Sequence, residues 1–279
     1  MMVLEFAIWG AWLPKIFGYL PAVGFSGNEQ LAILLAFPVA AILGMFFSNQ
    51  FADRNFAAEK FMAFSHLVSG IAILGLGLLH PDASGKMAFW PFFALMCVHC
   101  LLYVPTMSIA NTLAFANIKD AAKEYGFVRM GGTVGWILAA WPFIFLLVDW
   151  KAVDATMAKD HLSGFVPWLG TVFGSPLTGT ALVDGTRWTF IVAGIASLLL
   201  AAFSLTLPHT PAKKAEAGES MAFVKAFGVL KHPVILLLWV VTFIDSFIHN
   251  TYFFQTDTFL KSAVVGIPAN WTQAVMSIG

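Results

Sequence analysis

Charge is scarce in this chain. Asp, Glu, Lys and Arg make up 11% of its 279 residues, against about 25% in a soluble domain. Neither sign is in excess, because 15 Lys and Arg face 15 Asp and Glu, so no net field draws in polyanions. Cysteine is nearly missing. Cys97 and Cys100 are the two, both inside an apolar run, which excludes a disulfide framework. The start, Met1-Met2-Val3-Leu4-Glu5, has no basic stretch and no small-residue cleavage site, so a removable signal peptide is not expected. The H-E-x-x-H, G-x-S-x-G and Walker A patterns do not occur, which argues against an intramembrane metalloprotease and an ATP-driven pump. What fills the chain is apolar: 59% of residues are hydrophobic, 28 of them Phe. A compact soluble fold could not cover that surface. The composition therefore predicts an all-α polytopic membrane protein that is not an enzyme, with the lipid bilayer as partner, no nucleic acid and no cofactor.

Crossing the hydrocarbon core takes about 20 mostly apolar residues in a helix. Seven stretches qualify: 3–20, 31–51, 61–79, 87–109, 127–148, 188–207 and 234–254. The alternation of a barrel strand is absent from the sequence, and a helix is the form in which a lipid-exposed backbone satisfies itself. Residues 271–279 read as the first turns of an eighth span. Loop cations split nine to six. The side carrying Arg54, Lys60, Lys119, Lys123, Arg129 and the lysines of 208–231 outweighs the side carrying Lys15, Lys86, Lys151, Lys159, Arg187 and Lys261. The positive-inside rule then puts the first set and the N-terminus in the cytoplasm. Two connections are long. Residues 149–187 carry Pro167-Trp168-Leu169, suited to an interfacial amphipathic segment. Residues 208–231 read as a polar cytoplasmic linker. The expected domains are a six-helix bundle over 1–207, that linker, and the start of a second bundle over 232–279. Such halves are the plan of a secondary transporter.

Ionisable groups at membrane depth cost about 2.5–3.5 kcal/mol each on insertion scales, so each needs a reason. Glu5 reads either as a carboxylate reaching cytoplasmic water or as a cavity-lining group. Arg129, Thr133 and Trp136 fall at i, i+4 and i+7 of one helical face, a guanidinium, a hydroxyl and an indole suited to a polar planar ligand. Arg129 also fits an anchor at the helix start. Gly131 and Gly135 form a GxxxG pair, which usually marks close helix packing. The seventh span carries Asp245, His249 and Tyr252 as a polar stripe, with Asn250 and Phe253 on the adjacent face. Asp245 and His249 could exchange a proton or satisfy one another in the interior. Cys97-Val98-His99-Cys100 reads as core rather than a metal half-site, and His66 as buried against a neighbour. Pro38, Pro105 and Pro142 fall within spans as tolerated kinks. Asn270-Trp271-Thr272 reads as a chance glycosylation match.

Several segments resemble one family. They are Phe6-Ala7-Ile8-Trp9-Gly10-Ala11-Trp12, Ala52-Asp53-Arg54, Tyr103-Val104-Pro105-Thr106 with Asn111-Thr112, Val128 to Trp136, Leu205 to Pro211, and Met276-Ser277-Ile278-Gly279. In this order they are similar to the nucleoside:proton symporters of the major facilitator superfamily. The resemblance runs along nearly the whole chain, apart from 149–187. It implies nucleoside uptake driven by protons through alternating access, in the cytoplasmic membrane of a bacterium. It also implies ligand contacts from Arg129, Thr133 and Trp136. The family's seventh span supplies an amide pair spaced i, i+3. Here those positions hold His249 and Tyr252, or Asn250 and Phe253 one residue on, which implies a different nucleoside preference. Asp245, His249 and Glu5 are the proton-coupling candidates. The family's eighth-span Gln and Glu would follow Gly279, so the resemblance implies a fragment lacking most of its second half and inactive alone. A carrier for sugars or other polar solutes is the alternative, and a membrane enzyme or assembly factor is the third reading.

Overall fold

The computed structural model describes residues 1–44, 55–212 and 228–278. Among these, regular structure is helical, with one isolated bridge between Val148 and Pro176. The helices are α1 (Met2–Ala22), α2 (Gly27–Leu43), α3 (Ala58–Leu78), α4 (Phe89–Asn117), α5 (Ala121–Ala140) and the single turn α6 (Phe143–Leu146). They continue as α7 (Trp150–Lys159), α8 (Phe165–Gly174), α9 (Gly179–Thr186), α10 (Trp188–Ser204), α11 (Pro233–Lys261) and α12 (Thr272–Met276). Five stretches are long and apolar enough to cross a membrane: α3, α4, α5 with α6, α9 with α10, and α11. α1 has 21 residues, but Glu5 and Lys15 lower its hydropathy. α2 runs for 17 residues up to a segment outside the described residues. Five of the seven expected spans fall on these five stretches; the first falls on α1, and the second on α2 with residues 45–51 outside the described residues.

Boundaries move where backbone chemistry overrides hydropathy. α5 begins six residues before the expected Phe127, because the Asp120 side chain accepts from the Ala122 and Lys123 amides at 3.1 and 3.3 Å, a cap worth about 1 kcal/mol. It ends at Ala140. At Trp141 and Pro142 the backbone keeps helical angles through a turn, and the span continues as α6. Ser26 and Glu29 start α2 with a capping box, the Ser26 amide donating to Glu29 Oε2 at 2.7 Å. Pro167, Trp168 and Leu169 lie on α8 within the expected loop, Trp168 stacked against Trp150 of α7.

α1 is the hub. It packs on α5, α10 and α11, while α3 lies between α10 and α4, and α4 carries α2. Glycine permits the tightest of these contacts. A Cβ on Gly135 would overlap the Val3 carbonyl, and one on Gly10 would lie 3.0 Å from the Trp136 backbone. The contact pair differs from the expected Gly131 and Gly135. A Cβ on Gly131 meets nothing closer than 3.5 Å, whereas one on Gly132 would overlap the Arg129 guanidinium and lie 2.7 Å from the Phe6 ring. The face of α5 that meets α1 therefore carries Gly132 and Gly135.

Lys15, counted above with the loop cations, sits inside α1 and is 5% exposed. Its ammonium donates to the Ala269 carbonyl at 2.8 Å and to Thr272 Oγ1, and it pairs with Asp257 of α11 at 3.3 Å. Asp257 also pairs with Lys261. Burial without a partner would be far costlier than this knot. Asn270, in the expected chance sequon, is buried and donates to the Ile144 carbonyl at 3.1 Å. After α10, His209 Nδ1 and the Thr210 amide contact Glu59 of α3 at 2.8 and 3.0 Å. Most of the expected linker, with Lys213, Lys214, Glu216, Gly218, Glu219 and Lys225, lies outside the described residues, as do Asp53, Arg54 and Gly279.

Candidate functional site

α1 cannot complete its own hydrogen bonds. Pro14 has no amide hydrogen to give the carbonyl of Gly10, four residues earlier. Gln273 of α12 supplies the missing donor: its Nε2 bonds the Gly10 and Ala11 carbonyls at 3.0 and 2.8 Å. That anchor sets Met276 and Ser277 across from α1 and α5. With α11 they close a cavity of 280 Å³ lined by Phe6, Trp9, Arg129, Gly132, Thr133, Trp136, His249, Phe253, Met276 and Ser277. Its size lies just under the range of ~300–1,000 Å³ usual for small-ligand sites.

Arg129, Thr133 and Trp136 reach this cavity from one face of α5. The Arg129 guanidinium lies 4.1 Å above the centre of the Phe6 ring, a cation–π seat of about 0.5–2 kcal/mol. Among the described residues Arg129 makes no ion pair, so its planar donors remain directed at the cavity's contents. An aromatic chain runs across the cavity wall. Phe37 of α2 stacks on Trp9 at 5.2 Å, and Trp9 meets Trp136 edge-on at 5.4 Å. Trp136 meets Phe253 at 5.5 Å, and Phe253 meets the His249 ring at 4.8 Å. The Trp9 Nε1 is enclosed and makes no hydrogen bond among the described residues. Flat rings beside a guanidinium that makes no ion pair among those residues suit a planar, carbonyl-bearing, hydroxylated ligand.

The remaining candidates separate. Asn250 lines a second, largely apolar cavity of 370 Å³ between α1, α2 and α11. Tyr252 lies with Phe247 and Gln255 along another groove of α11. Asp245 and His249 are both exposed, and no hydrogen bond or ion pair joins them among the described residues. Along α11 only Phe253 and Asp257 are buried, so the interior polar pair foreseen for that helix is Lys15 with Asp257 instead. Glu5 reaches neither water nor this cavity. It is fully buried among α3 and α4, bonded to His66 and Thr106 at 2.9 Å each. His99 stacks on Tyr103 at 5.2 Å and its Nδ1 donates to the Ser69 carbonyl, 3.1 Å away, as a core group. Sequence reasoning passed over Phe6, Trp9 and Ser277. The spacing of Phe6, Trp9 and Gly10 on one flank of α1 was the available signal for the first two.

Comparison with known proteins covers this whole arrangement. The sequence profile of the family described as "Nucleoside H+ symporter" matches residues 1–166 and 158–279. Over 213 residues the chain is 29% identical to YegT of Escherichia coli K12, an alignment covering 76% of this chain and 42% of that protein. It is 25% identical over 242 residues to the xanthosine permease of the same strain, covering 84% and 48% respectively. The chain thus spans about half the length of the curated relatives it matches. The crystal structure of the nucleoside transporter NupG superposes with a TM-score of 0.67 at 18% identity, covering 99% of this chain and 62% of that one.

Proposed function

Because this chain belongs to the nucleoside H+ symporter family of multi-pass membrane proteins, we propose that it serves proton-coupled nucleoside uptake across a bacterial cytoplasmic membrane. Arg129, Thr133 and Trp136 of α5 form one wall of the substrate cavity, and His249 and Phe253 of α11 form the other. Trp9 and Phe6 of α1 form its floor. The nucleobase lies among the rings of Trp9, Trp136 and Phe253. The guanidinium and the Thr133 hydroxyl take its carbonyl or the ribose hydroxyls. His249, at the family's amide position in one of the two registers, accepts or donates at the base edge and so selects among nucleosides. The two walls belong to different bundles, and exchange of access between the two sides of the membrane proceeds by their relative rocking. The N-terminus faces the cytoplasm on the balance of loop cations, which Lys15 no longer joins.

The observation that carries this reading is the convergence of Arg129 with aromatic rings from three helices, α1, α5 and α11, around one cavity. Tryptophan-fluorescence titration of the purified chain in lipid, with uridine, adenosine and xanthosine, tests it. At least one nucleoside should quench the Trp9 and Trp136 emission saturably. Arg129→Ala should weaken that binding tenfold or more, the loss expected of a charge-assisted hydrogen bond worth about 1.5–3 kcal/mol. Unchanged affinity in a folded Arg129→Ala chain would return Arg129 to the role of helix anchor.

A further inference from the structure

Away from the substrate cavity, the core of the first bundle holds two titratable groups face to face. Glu5 of α1 and His66 of α3 are both 0% exposed, with Glu5 Oε2 2.9 Å from His66 Nε2. We propose that this pair binds and releases a proton; the inference rests on the proton-coupled reading above, for which it names the coupling site.

The surrounding hydrogen bonds admit one proton shared by the pair. With its hydroxyl hydrogen on the His66 carbonyl, 2.9 Å away, Ser197 of α10 accepts from His66 Nδ1 at 3.2 Å, and Nδ1 then carries a hydrogen. Two atoms then face one another at 2.9 Å, the carboxylate Oε2 and Nε2, and a single proton between them makes the contact a bond. With it the pair is neutral. Without it an imidazole lone pair faces a carboxylate and the pair carries one negative charge. The unloaded form has a ready donor. The Thr106 hydroxyl lies 2.9 Å from Glu5 Oε1 and also within reach of the Tyr103 carbonyl one turn back on α4. It can turn its hydrogen to the carboxylate when the proton leaves and back to its own helix when the proton returns.

No fixed cation holds the pair in one state. Among the described residues neither Lys nor Arg forms an ion pair with Glu5 or His66. The other titratable groups around it are few. From α4 come Tyr103, whose hydroxyl donates to the Glu5 carbonyl at 2.6 Å, and His99, stacked on Tyr103. From α1 itself comes the half-buried Met1 amine, which feels the Glu5 charge. α3 and α10 add only the hydroxyls of Ser65, Ser69 and Ser197, and the Arg129 guanidinium of α5 lies over Phe6 instead. Glu5 is the chain neighbour of that same Phe6. Loading of the proton thus acts on the helix that floors the substrate cavity.

Infrared difference spectroscopy of the purified chain in lipid, recorded between acid and alkaline pH, reads the proton directly. The wild type should show a carboxylic-acid carbonyl band exchanging with a carboxylate band. Glu5→Gln should lose that exchange, and Thr106→Val, which removes only the hydroxyl, should displace the band. Should Glu5→Gln fail to fold, Thr106→Val decides. Spectra of either folded variant that superimpose on the wild type would overturn the proposal. The measurement needs no nucleoside. Absent nucleoside quenching would sink the transport reading and leave this result standing, and a missing band would do the reverse.

Discussion

At the scale of single residues, the proposed substrate cavity is defined by the Arg129 guanidinium, which makes no ion pair among the described residues, and by the rings around it. The indole hydrogen of Trp9 is enclosed and has no partner among the described residues, and its ring stacks on Phe37 and meets Trp136 edge-on. Trp9→Phe keeps most of that ring packing and removes the donor. It should leave both thermal stability and nucleoside affinity nearly unchanged, because the indole hydrogen is closed off from the cavity. An affinity loss of about fivefold in the same fluorescence titration, the effect of one neutral hydrogen bond worth about 1 kcal/mol, would show that the indole turns to the ligand. Much of this was legible in the sequence. Arg129, Thr133 and Trp136 share a face by helical arithmetic alone, and three chemically distinct side chains at that spacing invite a ligand. Glu5 was not legible. A carboxylate five residues from the start reads equally as wet or buried, and only the long-range meeting with His66, sixty-one positions away, decides between them.

At the scale of elements, proline and glycine set how the helices meet. Pro14 opens a gap in the α1 ladder, and Gln273 fills it from α12. Gln273→Leu should therefore strand the Gly10 carbonyl and cost about 1–3 kcal/mol, the penalty of a buried unpaired acceptor. Pro14→Ala restores the amide hydrogen, so the double variant should recover much of that loss in thermal melts. Additive losses would show that the two residues act independently. Gly135→Ala should be more damaging, because the added carbon overlaps the Val3 backbone. A melting temperature well below wild type is expected, with overpacking costs of about 1–3 kcal/mol or more, whereas Gly131→Ala should pass almost unnoticed. The sequence flagged glycines in this helix but chose the wrong member. GxxxG spacing names a face only when the partner helix is known, and nothing in the local pattern reveals that α1 lies over Gly132.

At the scale of the whole molecule, the buried knot of Lys15, Asp257 and Thr272 is the polar tie between the first bundle and α11. Asp257→Asn should leave Lys15 charged and poorly matched, at a cost of about 3–5 kcal/mol. Lys15→Met combined with Asp257→Asn should melt closer to wild type than Asp257→Asn alone. A double variant no better than the single one would show that Lys261 and the Ala269 carbonyl already satisfy the separate partners. The fold class was legible because lipid leaves the chain little choice beyond helices. The tie was not, since a lysine and an aspartate 242 positions apart carry no periodic signature, and hydropathy counted Lys15 as a loop charge. The backbone contact between α1 and α5 has a last consequence. Where main chain rests on main chain, no side chain is left to act as a bearing, and neither helix can slide or roll without the other. Trp9, Arg129 and Trp136 therefore travel together, and under the proposed function adjustment to nucleosides of different shape falls to the facing residues of α11 and α12, His249, Phe253, Met276 and Ser277.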